Sequence, residues 1–158
     1  MNWLRIENIM NSRPETKRIL GGVSAPDVPI TPSRTYPRVV FLNTALSHEP
    51  GEHWCLTCFD DGRVCHFFDS YGRPPRAYNL DQVIIPHTRR ILYNSSQVQG
   101  ESTRTCGHHC LYFASQYARG LHPEEIVRSY AGLNQKRRDQ MVVDYLVRRF
   151  GRDIGRVE

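Results

Sequence analysis

No stretch of this chain approaches the ~20 consecutive apolar residues that a membrane-spanning helix needs, so no membrane partner is expected. The charged amino-terminal region lacks the apolar core of a signal peptide. Five cysteines are an odd number in no disulfide-scaffold spacing, which points to an intracellular, reducing compartment. Internal repeats and low-complexity tracts are also missing. A chain of 158 residues then suits one domain, 1–158, expected to be monomeric and able to bury roughly 70% of its unfolded surface without staples. Residues 1–18 form an extension and about 19–150 the core. An acidic surplus is absent too: the net charge is +5 and the isoelectric point about 9.1. Arginine carries the excess, in Arg89-Arg90, Lys136-Arg137-Arg138 and Arg148-Arg149. These runs read either as solvated helix and loop faces or as a nucleic-acid footprint.

Residues 2–11 have the spacing of a short amphipathic helix burying Trp3, Ile6 and either Ile9 or Met10. Two adjacent glycines and Pro26, Pro29, Pro32 and Pro37 predict an irregular extended loop over 21–37. Strands are predicted at Val39–Asn43, Val83–Pro86 and Ile91–Tyr93. Three helices follow, at Cys106–Arg119, at about Pro123–Tyr130 with proline in the first turn, and at Asp139–Phe150 with Val142, Tyr145, Leu146 and Phe150 inward. Strands followed by helices give an α+β domain with a central mixed sheet.

Between the first of those strands and the second lies a hairpin: Glu52–Phe59 outward, Asp60-Asp61-Gly62 as a tight turn, Arg63–Asp69 returning. A three-residue loop would set Phe59 against Arg63 and His53 directly opposite Asp69, with Cβ atoms roughly 5 Å apart. A two-residue loop would set Asp69 against Trp54 instead. The three-residue register makes chemical sense, because a carboxylate beside an imidazole fixes its tautomer and supports its charge, as the base of a nucleophile requires.

Cys106 is the candidate nucleophile. It opens the helix marked by Cys110, Leu111, Phe113, Ala114, Tyr117 and Ala118 and closed by Gly120. In the first turn, unpaired amides and the positive end of the macrodipole favour a thiolate, and a neighbouring imidazolium favours it further. Gly107 is expected to leave room for a substrate backbone. Gln99, in Val98-Gln99-Gly100, offers a side-chain amide to an oxyanion, a contact worth roughly 3 kcal/mol in the transition state. His108 and His109 follow the nucleophile but project away around the helix axis, so they read as packing or surface residues. Trp54 either covers the cleft or packs beneath it.

Leu42-Asn43-Thr44-Ala45 with Gly51-Glu52-His53-Trp54, Phe67-Phe68-Asp69-Ser70-Tyr71-Gly72, and Val98-Gln99-Gly100 with Cys106-Gly107 resemble the adenain family, the cysteine endopeptidases of adenoviruses, with relatives in mobile elements and among Ulp1-type proteases. The resemblance covers roughly 19–150. It implies an adenain/Ulp1-like fold, with His53 as general base, Asp69 as orienting carboxylate, Gln99 as oxyanion donor and Cys106 as nucleophile, and with Trp54, Gly100 and Gly107 near the substrate. Adenain carries a glutamate where this chain has Asp69, as the Ulp1-like relatives do. Also implied are proteolysis of virus-like structural precursors after small residues such as glycine in virion maturation, no cofactor for the chemistry, and a place in the virion and host nucleus if the chain is viral. A Ulp1-like protease of ubiquitin-like modifiers is the alternative. Adenain is stimulated by DNA and by a peptide joined through a cysteine before its Val-Gln-Gly. The matching segment here, 86–97, has no cysteine, so a disulfide-linked peptide is not expected there, which leaves DNA and a peptide strand added noncovalently to the sheet edge as the activators the resemblance implies.

A zinc-binding nucleic-acid module competes for the same residues: Cys55-x-x-Cys58 and Cys106-x-x-x-Cys110 with His66, His108 and His109 resemble a ligand inventory. Side chains three apart on a strand point to opposite faces, however, so Cys55 and Cys58 cannot converge within the hairpin. Cys55, Cys58, Cys65 and Cys110 read instead as small buried hydrophobes.

Overall fold

The computed structural model describes residues 1–155. Helix α1 spans Trp3–Asn11, capped by the Asn2 side chain, which accepts from the Arg5 amide at 2.9 Å. It buries Ile6 and Met10, with Ile9 packed against the same core, as the spacing predicts. Helix α2, Pro14–Ile19, follows at once and runs into strand β1, Leu20–Ser24. The predicted loop therefore begins later than expected, because β1 pairs in parallel with β2, Arg38–Asn43, through Leu20↔Val39 and Ser24↔Leu42. Gly21 and Gly22 hide this strand from propensity. A side chain at Gly21 would start 3.0 Å from the Val39 carbonyl, so the close pairing itself requires glycine.

Strands β3, Trp54–Phe59, β4, Val64–Phe68, and β5, Arg90–Tyr93, complete a five-stranded sheet in sequence order. The outer pairs β1/β2 and β4/β5 are parallel and the inner ones antiparallel, so the sheet is mixed. The β3–β4 hairpin corrects the predicted register. Phe59 pairs with Cys65 and Leu56 with Phe68, so the connection is longer than the three-residue turn and the partners are displaced by two positions. Because strand side chains alternate with a period of two, this displacement keeps every residue on its expected face.

Val83–Pro86 is not a strand. Asp81–Ile84 forms the short helix α3, continued by a 3-10 turn at Ile85–His87. A brief apolar run cannot separate strand from helix by periodicity. Here Leu80, Val83 and Ile84 fall on one helical face and pack on the sheet with Phe59, Cys65 and Phe67.

The other face of the sheet carries the larger core. Helix α4, Cys106–Ala118, lies between β3 and α6, Gln135–Phe150, and is buried nearly all round. Helix α5, Pro123–Arg128, has proline at its first turn, and Asn134 caps α6 through the Arg137 amide. Val142 and Leu146 of α6 are fully buried, with Tyr145 and Phe150 packed at the margin. Sheet, helices and the α3 segment together make a single α+β domain in which the nucleophile candidate opens a core helix beside the hairpin. Among the described residues, no helix is long and apolar enough to cross a membrane.

Candidate active site

His53 immediately precedes β3 and Asp69 immediately follows β4, at the open end of the hairpin. The observed register makes them diagonal rather than direct neighbours. Imidazole and carboxylate still meet, with His53 Nε2 2.6 Å from Asp69 Oδ1. Asp69 is fully buried and saturated: Oδ1 also accepts from the Tyr71 amide at 3.2 Å, and Oδ2 from the Arg73 amide at 3.0 Å and the Tyr78 hydroxyl at 2.8 Å. Asn94 of the segment after β5 clamps the Asp69 backbone, accepting from its N–H at 3.0 Å and donating to its carbonyl at 2.6 Å. Burial pushes the Asp69 carboxyl up, but the His53 bond and charge with the Tyr78 and Arg73 donors prevail and hold it below the usual range. Tyr71 stacks on the His53 ring at 4.8 Å between centroids.

With Nε2 committed to Asp69, Nδ1 is the ring nitrogen left for Cys106, whose thiol lies close enough for each group to shift the other's protonation. Burial lowers the imidazole pKa, yet Asp69 and Cys106 together raise it to about 9. Burial raises the Cys106 thiol, yet His53 and the backbone N–H groups of Trp54 and Gly107 bring it below its ordinary value. Each group thus draws the other towards its charged form, thiolate and imidazolium, which is the nucleophilic form such a dyad uses.

The loop before Cys106 is fixed by Asp139 of α6. Its Oδ1 accepts from the Thr105 hydroxyl at 3.0 Å and from His109 Nε2 at 2.7 Å, and its Oδ2 from the Gly100 amide at 3.3 Å. The Tyr130 hydroxyl completes the chain at His109 Nδ1, 2.9 Å away. Thr105 therefore does not cap α4, and the Gly107 amide of its first turn stays directed at the thiol. Gln99 is buried: Oε1 accepts from Ser70 at 2.6 Å, while Nε2 donates to the Thr103 carbonyl at 2.7 Å and reaches the Tyr71 hydroxyl at 3.4 Å.

The residues expected to touch substrate sit otherwise. Gly100 is buried and turned onto Asp139. Gly107 leaves no open approach, because a side chain there would start 3.2 Å from Met1 and 3.5 Å from Trp54. Trp54 packs beneath the site, 7% exposed, and donates to the Met1 carbonyl at 2.8 Å. The space beside the imidazole is a cleft of about 620 Å³ bordered by Thr44, Glu52, His53, Tyr71, Arg73 and Gln97. Tyr71, Tyr78, Asn94 and Asp139 are site residues that sequence reasoning missed. Tyr71 lies within the Asp69-Ser70-Tyr71-Gly72 word, whereas nothing marks Asn94, since its role depends on how β5 aligns with β4.

Cys55, Cys58, Cys65 and Cys110 are buried and free. Cys55 belongs to the core on one face of the sheet and Cys58 to that on the other, so the zinc inventory does not assemble. His108 and His109 are buried packing residues; His108 bonds the Ile154 carbonyl at 2.9 Å.

No protein-family model matches the chain. The protease of porcine adenovirus A serotype 3 is 30% identical over 95 aligned residues, which span 49% of this chain and 46% of that protein. The chain resembles the adenovirus proteases. It spans about half the length of the curated relative it matches. Among solved structures, an ASFV protease covers 76% of this chain and 45% of its own, with a TM-score of 0.45 and 19% identity.

Proposed function

We propose that this chain is a cysteine endopeptidase of the adenain type. The observation that carries the proposal is the 2.6 Å Asp69–His53 bond beside Cys106 at the first turn of α4, where imidazole and thiol shift one another's protonation. The Cys106 thiolate attacks a peptide carbonyl carbon and forms the S–C bond. His53 gives its Nδ1 proton to the amide nitrogen as the C–N bond breaks, and the amine leaves. Water, losing its proton to His53, then splits the thioester, releasing the carboxylic acid and restoring the thiolate. Gln99 serves the oxyanion with the Nε2–H now aimed at Tyr71, while its bond to Thr103 keeps the amide in place. Substrates enter along the cleft beside His53, and the adenovirus likeness suggests virus-like structural precursors cut after small residues.

The test compares peptide hydrolysis with circular dichroism for three substitutions. Cys106→Ala and His53→Ala should remove nearly all turnover while keeping the fold. Gln99→Ala should cost roughly 10²–10³ in rate, as one oxyanion donor does. Full activity in Cys106→Ala would end the proposal. Profiling the protein against a peptide library, with Cys106→Ala as control, identifies the cleavage motif; cutting confined to a ubiquitin-like tail would assign the chain to the Ulp1-like proteases instead.

A further inference from the structure

At the turn end of the hairpin, away from the catalytic end, Asp60, His66 and His122 converge. Asp60 begins the connection after β3, His66 stands on β4, and His122 precedes α5. One ligand atom from each lies within 4.8 Å of the others. None of the three takes part in the chemistry proposed above. We propose that they form a divalent transition-metal site of two imidazoles and one carboxylate.

Four features argue for it. Asp60 Oδ2 and His66 Nε2 are 3.4 Å apart. Two ligands around one tetrahedral zinc, with bonds of about 2.0–2.1 Å, are separated by about 3.3 Å, so this pair already stands at ligand spacing. His122 is exposed at the start of its helix and has room to close the remaining gap. The other carboxylate oxygen, Asp60 Oδ1, accepts from the Tyr117 hydroxyl of α4, which holds the carboxylate with Oδ2 turned to the histidines, the outer-sphere support that metal carboxylates use. The two imidazoles meet edge to face, 5.3 Å between centroids, with a ring nitrogen of each within 4.8 Å of the other's.

The donor set of two nitrogens and one oxygen suits Zn²⁺, Co²⁺ or Ni²⁺ and leaves a fourth position to water. Cys58 lies across from His66 in the β3–β4 register but is completely buried and outside the group, so no thiolate takes part. Binding displaces one existing contact. His122 Nδ1 accepts from the Glu124 amide at 3.2 Å. A metal at Nδ1 takes that lone pair, and a metal at Nε2 moves the ring proton to Nδ1; either way the cap on α5 is given up. The ion would tie the hairpin tip to the α4–α5 connection.

The experiment uses the full chain carrying Cys106→Ser, which removes the catalytic thiol as a rival ligand, stripped with chelator and titrated with Co²⁺. One equivalent should bind, with visible d–d bands, no thiolate charge-transfer band, and a raised melting temperature. His122→Asn, whose side chain can still cap α5, should keep the fold and abolish the bands. Tyr117→Phe should weaken binding by roughly tenfold, as removal of an outer-sphere partner does. Absence of binding, a thiolate band, or undiminished binding in His122→Asn would overturn the site.

Discussion

Replacing Asp69 by asparagine separates the electrostatic work of this residue from its structural work. Four donors converge on the carboxylate: His53 and the Tyr71 amide on Oδ1, the Arg73 amide and the Tyr78 hydroxyl on Oδ2. An amide can supply only one oxygen. It is expected to keep that oxygen towards His53, because the Tyr78 hydroxyl can reverse and accept from the new NH₂, whereas the imidazolium cannot. The Arg73 N–H is then left without its acceptor; a fully buried donor so orphaned costs about 1–3 kcal/mol, and this part-buried one on an exposed residue falls at the low end, about 1 kcal/mol. For a domain of this size each kcal/mol lowers the melting temperature by about 2–4 °C, so a fall of about 2–4 °C is expected. Activity should fall by roughly 10²–10³, less than the about 10⁴ seen where an amide forces the imidazole into the wrong tautomer. The loss of charge has its own signature. His53 has its pKa raised to about 9, so its imidazolium persists below that pH and is lost as the pH rises through it. The alkaline limb of kcat/KM should therefore lie near pH 9 in the native chain and move to lower pH in Asp69→Asn. Stopped assays across pH 5–10, with thermal melts alongside, supply both readouts. A full rate with an unmoved limb would refute the electrostatic role. Complete unfolding would show Asp69 to be chiefly structural.

Iodoacetamide at pH 6 should label Cys106 ahead of the other four cysteines, whose burial leaves them protonated, and peptide mass spectrometry reads the order; labelling of Cys55 or Cys58 first would contradict the thiolate assignment. Asp139→Asn should lower kcat more than it raises KM, because it loosens the 100–105 loop and the start of α4 without touching the cleft; an unchanged kcat would leave Asp139 as packing alone. DNA as an activator would appear as a hydrolysis rate that rises with duplex at ~50 mM salt and less at ~200 mM, binding falling with a slope near −0.9 per phosphate neutralised. Arg138 and Arg149 already serve backbone carbonyls at Tyr130 and Gln97 and the Glu15 carboxylate, so any footprint rests on the remaining arginines; salt-insensitive rates would leave those as solvated surface.

The legible parts of this fold are those with a long period or a strong punctuation mark. Proline at the start of α5 and the run after Cys106 mark helices close to their observed bounds, and the apolar stripe marks the end of α6, whose polar first turn, from Gln135, precedes the stripe and the expected start at Asp139. Strand β1 was hidden because its glycines carry no propensity and its partner lies far along the chain. Helix α3 was misread because Val83, Ile84 and Ile85 suit a strand as well as a helix, and only the sheet surface beneath Leu80 decides. In the site, the motif words held His53, Asp69 and Cys106, which act through contacts near their own strand or helix ends. The support from Asp139, Tyr78 and Asn94 comes from other elements, and no local pattern encodes it.

The two-position displacement of the hairpin makes the dyad a matter of parity. A slip by an odd number of residues would turn the buried side of β4 outward and carry Asp69 away from His53, losing core and chemistry together. A slip by two towards the shorter turn preserves both, since the carboxylate only trades a diagonal place for a facing one, both within reach. Apolar patterning therefore proofreads the candidate pair: a misregistered hairpin stable enough to persist is one that still sets carboxylate and imidazole on the same side.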